Sequence, residues 1–277
     1  MKTRCRISYR MGILILVLLC ALPAAATSTD LLLLLPGFPG TSAQAQPFVD
    51  KMLRFLEVQL NLQKESMRGV FITDGSQATI RLEQMKPGIA LLGPSIYAQH
   101  AKEMRMTVIA RVEANGRGEQ KYHVIVPKDG PDNIHELSGI VSGSVVHDEK
   151  FVCNVLLNKK VSVQKLTMQN NPRPLRALRS LSEGKVSAVI VDEETLKYMS
   201  ELEFSPRLKK IYTTDPVPAP AVVVLNDGRK FAQKLKKSLV GLCQTTEGKA
   251  LCQSLTISSI SPANDADYKA LLKKYRR

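Results

Sequence analysis

DLLLLLPGFPGTSAQAQ, residues 30–46, contains a buried strand, a tight turn and the start of a helix. Residues 31–35 are an uninterrupted apolar run, which is typical of a strand covered on both faces in a parallel sheet. Pro36-Gly37 ends the strand, and Thr41 or Ser42 can then cap a helix whose free N–H groups point toward the strand's carboxyl end. Open α/β sheets usually bind ligands at this edge, so the stretch predicts an α/β fold with a site after its first strand.

The first 26 residues are predicted to be a secretory signal peptide. Basic residues precede an apolar run at 11–22, and Ala24-Ala25-Ala26 follows as an A-x-A cleavage site. The apolar run is short for a membrane span, which disfavours the alternative of an uncleaved anchor. Leu18-Leu19 precedes Cys20, where a lipoprotein signal has a small residue. We therefore expect an exported protein, periplasmic or secreted, that begins near Thr27.

The charge balance of the chain is strongly basic. The formal net charge is +14 at pH 7, and only four of the basic residues belong to the first 26. Such a balance suits nucleic acid, an anionic membrane surface or an anionic ligand, but the export signal argues against nucleic acid. Much of the excess lies in predicted helices at 230–237 and 269–277, where a solvated helix face explains it.

Three cysteines follow the signal segment. Cys243 and Cys252 flank a short turn, and export to an oxidising compartment allows a disulfide between them, although spacing alone does not decide it. Cys153 stands among apolar neighbours and is expected to be buried. No CxxC or Cys/His spacing suggests zinc, and no other constellation predicts a metal or a cofactor.

Repeated β-α units predict two α/β lobes. A first series of strands and helices predicts a parallel sheet, and a second series runs from 122 to 199. Polar or Pro-rich stretches at 113–121 and 213–220 predict two crossings, because the strand and helices after 220 are too little for a third domain. Lobe one is expected to comprise residues 27–115 and 216–277, and lobe two residues 116–215. The first four strands predicted along the chain, all in lobe one, lie at 31–35, 70–73, 88–92 and 106–112.

This order of elements resembles the type 2 periplasmic binding proteins, and among them the phosphate/phosphite/phosphonate substrate-binding proteins of ABC transporters. The resemblance implies a bilobal α/β fold with two hinge crossings that closes on a small anionic solute, a phosphate- or phosphonate-like one. It also implies delivery to an ABC permease, no catalysis and a monomer. It is carried by DLLLLLPGFPGTSAQAQPFVD (30–50), IALLGPSIYAQH (89–100), KYHVIVPKDG (121–130) with NIHELSG (133–139), and KFAQKLKKSLVGLCQTTEGKALCQSL (230–255).

The resemblance also implies a set of ligand contacts, because this family binds oxyanions through hydroxyls and N–H groups at helix N-termini. Simple roles stay open for them: the hydroxyl residues can cap helices, Tyr97 can pack, and His147 can lie at an exposed helix start. The chain departs from the family at SVVHDEK, residues 144–150, where Asp148 and Glu149 would repel an anion. The implied contacts are Thr41, Ser42, Ser95 and Tyr97 in lobe one, and Ser142, Ser144 and His147 in lobe two.

The sequence also bears on three other functions. LLLLLPGFPG also resembles the oxyanion loop of α/β-hydrolases, but residues 93–97 lack the final glycine of a nucleophile elbow and no histidine follows His147. A P-loop needs a lysine after Gly40, which Thr41-Ser42 do not supply. A ligand-sensing or adaptor protein, engaging a membrane sensor in place of a permease, fits the sequence as well as transport does.

Overall fold

The computed structural model describes residues 30–38, 41–114, 116–254 and 257–277. The predicted signal peptide and its cleavage site lie outside these residues. None of the described helices has both the length and the apolar character that crossing a membrane requires.

Strands and helices alternate through most of the described chain. The strands are β1 (Leu31–Leu34), β2 (Gly69–Ile72), β3 (Ile89–Leu92), β4 (Thr107–Glu113), β5 (Glu119–Gln120), β6 (Tyr122–Pro127), β7 (Gly139–Gly143), β8 (Leu166–Asn170), β9 (Ala188–Asp192), β10 (Leu208–Thr213), β11 (Val217–Pro218), β12 (Ala221–Val224) and β13 (Ser259–Pro262). The α-helices are α1 (Ser42–Leu60), α2 (Ala78–Met85), α3 (Pro94–His100), α4 (Pro174–Ser182), α5 (Glu193–Met199), α6 (Ala232–Leu239), α7 (Thr246–Ser254) and α8 (Lys269–Tyr275).

The first sheet has the strand order β13-β4-β12-β3-β1-β2. β1 pairs in parallel with β2 and β3, so Leu33 lies level with Phe71 and Leu91, and all of β1 is buried as its apolar run predicts. β12 pairs antiparallel with both β3 and β4, so the prediction of one parallel sheet through β1 to β4 is wrong at this point. A short apolar run is compatible with either strand direction, and the return of the chain places β12 between β3 and β4.

The second sheet has the order β10-β6-β9-β7-β8. β7 is parallel to β8 and β9, whereas β6 is antiparallel to β9 and β10. Helices α4 and α5 pack beside β9. Each sheet with its helices forms one α/β lobe, which confirms the predicted bilobal fold class.

The two crossings between the lobes pair with each other. β5 in the first crossing and β11 in the second are antiparallel, with Gln120 opposite Val217. Strands of the first sheet come from residues 31–113 and 221–262, and strands of the second sheet from 122–213. The lobe boundaries at 27–115, 116–215 and 216–277 stay a prediction.

Helix α1 covers one face of the first sheet. Thr41 caps it: the backbone N–H of Gln44 donates to the Thr41 hydroxyl at 3.3 Å, and the Gln44 side chain accepts from the Thr41 N–H at 2.9 Å. Buried side chains recur at helical spacing and pack in one cluster with Leu33 and Phe71. They are Ala45, Val49, Met52, Leu53, Leu56 and Leu60.

The opposite face of the first sheet shares an apolar cluster with lobe two. Leu34 and Ile96 from lobe one belong to the same buried cluster as Val145 and Phe151 from lobe two. Burial of a large apolar side chain contributes about 1.5–3 kcal/mol, so this shared core holds the lobes in a closed arrangement.

Two helical segments differ from the sequence expectation. The amphipathic segment at 148–157 contains a π-helix over Phe151–Leu156, and the long basic helix expected at 228–242 is a 3₁₀ segment, Asn226–Phe231, followed by α6. A disulfide joins Cys243 to Cys252, whose Cα atoms are 5.5 Å apart. Cys153 is a free, buried thiol.

Candidate ligand-binding cleft

A cavity of about 250 Å³ lies between the lobes at the carboxyl ends of β1 and β3. Its floor is apolar and includes Leu33, Phe71 and Leu91 of the first sheet. Pockets for drug-sized molecules begin near roughly 300 Å³, so this cavity suits a small solute. The rest of the wall comprises Leu35, Pro36, Phe38, Gly93, Pro94, Ser95, Val112 and Ile257 from lobe one, Tyr122, Val145, Asp192, Glu193, Glu194 and Tyr198 from lobe two, and Ala114, Arg117, Glu119, Gln120, Ala219 and Pro220 from the crossings.

The loop after β1 forms one lip of this cavity. The Leu35 N–H donates to the Ile72 carbonyl at 3.0 Å, and the Gly37 N–H to the Thr73 carbonyl at 3.3 Å, which carries the chain past the end of β2. Gly37 has a φ of +80°, a left-handed conformation that favours glycine. Phe38 then packs edge-on against Phe71, with ring centroids 5.6 Å apart. The opening stretch of the sequence therefore supplies apolar surface to the cavity.

The structure brings one of the four predicted lobe-one contacts to this cavity. Ser95 lines it and is 1% exposed, and no described residue hydrogen-bonds its hydroxyl. Thr41 is occupied as the cap of α1, and Ser42 is exposed in the first turn of that helix. Tyr97 is buried against Tyr268, with ring centroids 4.9 Å apart, and burial together with the Asp265 carboxylate raises its pKa to about 12.

The three predicted lobe-two contacts lie where the lobes are packed together. The Ser142 hydroxyl donates to the Gln169 carbonyl at 3.1 Å inside the sheet. A Cβ atom on Gly37 would overlap with the Ser144 side chain, and one on Gly75 would overlap with the His147 ring. None of these three side chains lines the cavity, so their contact with a ligand stays a prediction.

We call this closed region the packed side and define it by Gly37, Gly75 and Asp74 of lobe one and His147 and Asn170 of lobe two, together with Ser144. The Asn170 amide donates to the Asp74 carboxylate across the lobes at 2.9 Å. Burial opposes ionisation of Asp74, but hydrogen bonds from Ser76 and Asn170 lower its pKa overall. A charge-assisted hydrogen bond of this kind ties the lobes together at a fixed position.

His147 is held in a single tautomer on the packed side. Its Nδ1 lies 2.9 Å from the Ser144 carbonyl oxygen, which can only accept, so Nδ1 carries the proton. Its Nε2 is buried and has no partner among the described residues. Burial lowers the pKa of His147, partly offset by the Ser144 carbonyl and by the carboxylates of Asp148 and Asp74. The ring is therefore neutral at pH 7.

Apart from Ser95, the cavity is bounded by residues that the sequence did not single out. We call this region the hinge side and define it by Arg117 and Gln120 of the first crossing, and Tyr122, Asp192 and Glu193 of lobe two, around Ser95. Asp192 is the last residue of the apolar strand β9, and Glu193 directly follows it as the first residue of α5. The rule that drew attention to Thr41, that ligands bind after parallel strands, applies equally to this strand and could have found them.

Charges on the hinge side are mostly negative. Asp192 Oδ1 accepts from the Thr195 N–H at 2.7 Å and caps α5. Glu193 pairs with Arg117 at 3.5 Å, their side chains being 28% and 68% exposed. The Gln120 amide donates to the Tyr122 hydroxyl at 3.0 Å, and burial, followed by the Asp192 carboxylate, raises the pKa of Tyr122.

Comparison with known proteins identifies the family of the chain. Residues 39–268 match the family model described as ABC transporter, phosphonate, periplasmic substrate-binding protein. The chain belongs to this family. The members of this family are periplasmic substrate-binding proteins and not enzymes.

Solved structures support the same fold. A binding-protein component of an ABC phosphonate transporter from Pseudomonas aeruginosa is 15% identical with a TM-score of 0.66, covering 90% of this chain and 87% of that one. A Prochlorococcus marinus protein in complex with methylphosphonate is 13% identical with a TM-score of 0.68, covering 90% and 97%. An ancestral arginine-binding protein is 16% identical with a TM-score of 0.53, covering 83% and 99%. No curated protein matches the sequence.

Proposed function

We propose that this chain is an exported solute-binding protein that holds its ligand in the hinge-side cavity and presents the closed form to an ABC-type permease. The observation that carries the proposal is that both lobes and both crossings wall one cavity. A molecule there contacts every part that moves during hinge closure, so its binding energy favours the closed state.

Export is supported by two independent features. The first 26 residues carry the charge, apolar run and A-x-A pattern of a signal peptide with cleavage after Ala26. The disulfide between Cys243 and Cys252 suits an oxidising compartment such as the periplasm. Mass spectrometry of the protein secreted to the periplasm would give a mature chain that begins at Thr27.

A phosphate- or phosphonate-like anion is the ligand that the family membership suggests. We treat it as one candidate, because the cavity wall carries more carboxylates than cations. Phosphate, phosphite and methylphosphonate therefore belong in the first ligand screen, beside amino acids and amines.

The test of the proposed function is a thermal-shift screen of this library on two proteins, the wild type and Ser95→Leu. Leucine at 95 fills part of the cavity, and because Ser95 is buried we expect the unliganded variant to lose about 1–3 kcal/mol of stability, so each protein is compared with its own unliganded melting temperature. We expect at least one library member to stabilise the wild type and to leave Ser95→Leu unchanged. Ser200→Leu, at an exposed position just after α5 and outside the cavity wall, serves as the matched control and should respond like the wild type.

Two results would contradict the proposed function. One is that no library member stabilises the wild type or changes its radius of gyration in solution scattering. The other is that a ligand stabilises Ser95→Leu as much as the wild type, because the ligand would then bind elsewhere.

A further inference from the structure

We propose that the hinge-side cavity takes a small organic cation with an apolar body, such as an arylalkylamine, in preference to an oxyanion. This inference rests on the proposed function, since it names the ligand class of the same cavity. Three observations carry it: the charges on the wall, the apolar and aromatic surface, and the state of the two helix starts beside it.

The charged groups of the wall favour a cation. Among the described residues that line the cavity, Glu119, Asp192, Glu193 and Glu194 carry carboxylates, and Arg117 alone carries a cationic side chain. Arg117 is already paired with Glu193, and Glu194 is paired at 3.4 Å with Lys197 outside the wall, so Glu119 and Asp192 carry the carboxylates of the wall without an ion pair among the described residues. No described residue hydrogen-bonds the second oxygen of Asp192, which leaves it free to accept from an ammonium group. The strongly basic charge of the chain thus lies elsewhere, and the cavity has the opposite sign.

The remaining wall suits an apolar body next to that charge. Aromatic rings come from both lobes, with Phe38 and Phe71 on one and Tyr122 and Tyr198 on the other. Val145 adds aliphatic surface and is 3% exposed. Aromatic faces attract organic cations, and a cavity that combines them with a few carboxylates is the usual solution for binding amines.

The two helices that begin beside the cavity offer few donors to an oxyanion. α3 begins with Pro94, which has no N–H, so only Ser95 and Ile96 carry free N–H groups in its first turn. α5 carries Glu193 and Glu194 in its first turn, and the Asp192 carboxylate already accepts from the Thr195 N–H. Carboxylates at this end offset the helix dipole that an anion would otherwise use. The Ser95 hydroxyl has no described partner, and it can accept from an ammonium group.

A titration with three probes of one shape tests the ligand class. 2-Phenylethylamine, 2-phenylethanol and 3-phenylpropanoate differ at the end group, which is cationic, neutral or anionic. We expect calorimetry on the wild-type protein to show the amine binding about tenfold more tightly than the alcohol, and the carboxylate binding most weakly. Methylphosphonate is titrated beside them as the anion that the family suggests.

Variants that remove a negative or a positive charge from the wall should change the affinity for the amine in opposite directions. Glu193→Gln should weaken the amine about fivefold and leave the alcohol unchanged, whereas Arg117→Gln should strengthen the amine severalfold by freeing Glu193. Asp192→Asn should also weaken the amine while still capping α5, because asparagine is a good N-cap. Glu201→Gln removes an exposed carboxylate of lobe two outside the wall and should leave all affinities unchanged.

Each outcome decides between the two proposals. The cation inference is overturned if the amine does not bind. It is also overturned if an anion binds more tightly than the amine and Arg117→Gln weakens that anion. In the second case the proposed function still stands, provided that Ser95→Leu abolishes the binding of the anion. Binding of any probe that Ser95→Leu leaves intact contradicts both, since the ligand would then lie outside the cavity.

Discussion

The packed side and the hinge side face the same gap between the lobes, yet they are built in opposite ways. On the packed side, glycines at 37 and 75 let the Ser144 and His147 side chains approach the lobe-one backbone directly. On the hinge side, aromatic rings and carboxylates surround an open cavity of about 250 Å³. The comparison shows that one half of the gap fixes the closed position and the other half holds space for a solute.

The largest expected loss of stability comes from a substitution at Gly37 that disrupts the packed side. Gly37→Ala introduces a left-handed alanine and a Cβ atom that overlaps with the Ser144 side chain, so we expect a loss of about 3–4 kcal/mol in the free energy of unfolding. Gly184→Ala is the matched control: its φ is +70° and no atom lies within 4 Å of its Cβ, so it should lose only about 1–2 kcal/mol. Urea unfolding measures both.

A double-mutant cycle shows whether the excess cost at Gly37 comes from the contact between lobes. Ser144→Gly removes the side chain that the new Cβ meets, so it should recover about 1–2 kcal/mol when combined with Gly37→Ala. Equal losses for Gly37→Ala and Gly184→Ala would mean that the lobes are not packed at this point.

Acid should weaken the packed side through His147. Its pKa lies below the ordinary 6.5 because of burial, so the unfolded chain binds the proton more readily. The contribution to stability is complete above pH 6.5 and is lost as the pH falls through the lowered pKa. His100 and His123 have lowered pKa values of the same sign, so the informative quantity is the difference between proteins.

Unfolding of His147→Asn as a function of pH isolates this contribution. The variant should lose less stability than the wild type between pH 7.5 and pH 5, whereas His135→Asn, at an exposed position, should follow the wild type. Parallel curves for the wild type and His147→Asn would place the ring outside the closed contact.

The smallest expected effect on stability concerns helix α8, which contacts lobe two outside both the packed side and the hinge side. Its Lys274 pairs with Asp215 at 2.8 Å, and the Asn154 amide of the π-helix donates to the Tyr275 carbonyl at 3.1 Å. A hydrogen bond from Lys274, with its charge, lowers the pKa of Asp215. Because the pair is partly exposed, Lys274→Met should cost about 0.5–1 kcal/mol at low salt and less at 0.5 M salt. An effect that does not depend on salt would argue against the ion pair.

The sequence predicted the lobes well because their signals are local. The apolar run of β1, the breaks at Pro36 and Gly37, and the polar and Pro-rich crossings each follow from a few neighbouring residues. The sequence did not predict the edge strands β10 and β13, because β10 (LKKIYT) carries two adjacent lysines and β13 (SISP) is only four residues long with two serines, so little in their composition separates them from loops.

The candidate site was harder to predict because it depends on how the lobes meet. Thr41, Ser95 and Ser144 all follow strands and looked equivalent in the sequence. Packing sorts them: Ser95 reaches the cavity, Thr41 caps a helix, and Ser144 is pressed against Gly37. Asp192 and Glu193 also lie at the end of a buried strand, but carboxylates are not groups that bind an oxyanion, so the family resemblance does not point to them.

The most direct test of the account is the fluorescence of a single tryptophan placed on each side of the gap. The chain has no tryptophan, so Tyr198→Trp reports the hinge side and Ile80→Trp, at an exposed position of α2, reports the region beside the packed side. On titration with 2-phenylethylamine and with methylphosphonate, the account predicts that whichever solute binds shifts the emission of Trp at 198 more than that of Trp at 80, which senses only the closure of the lobes. A response at 80 without one at 198 would contradict it.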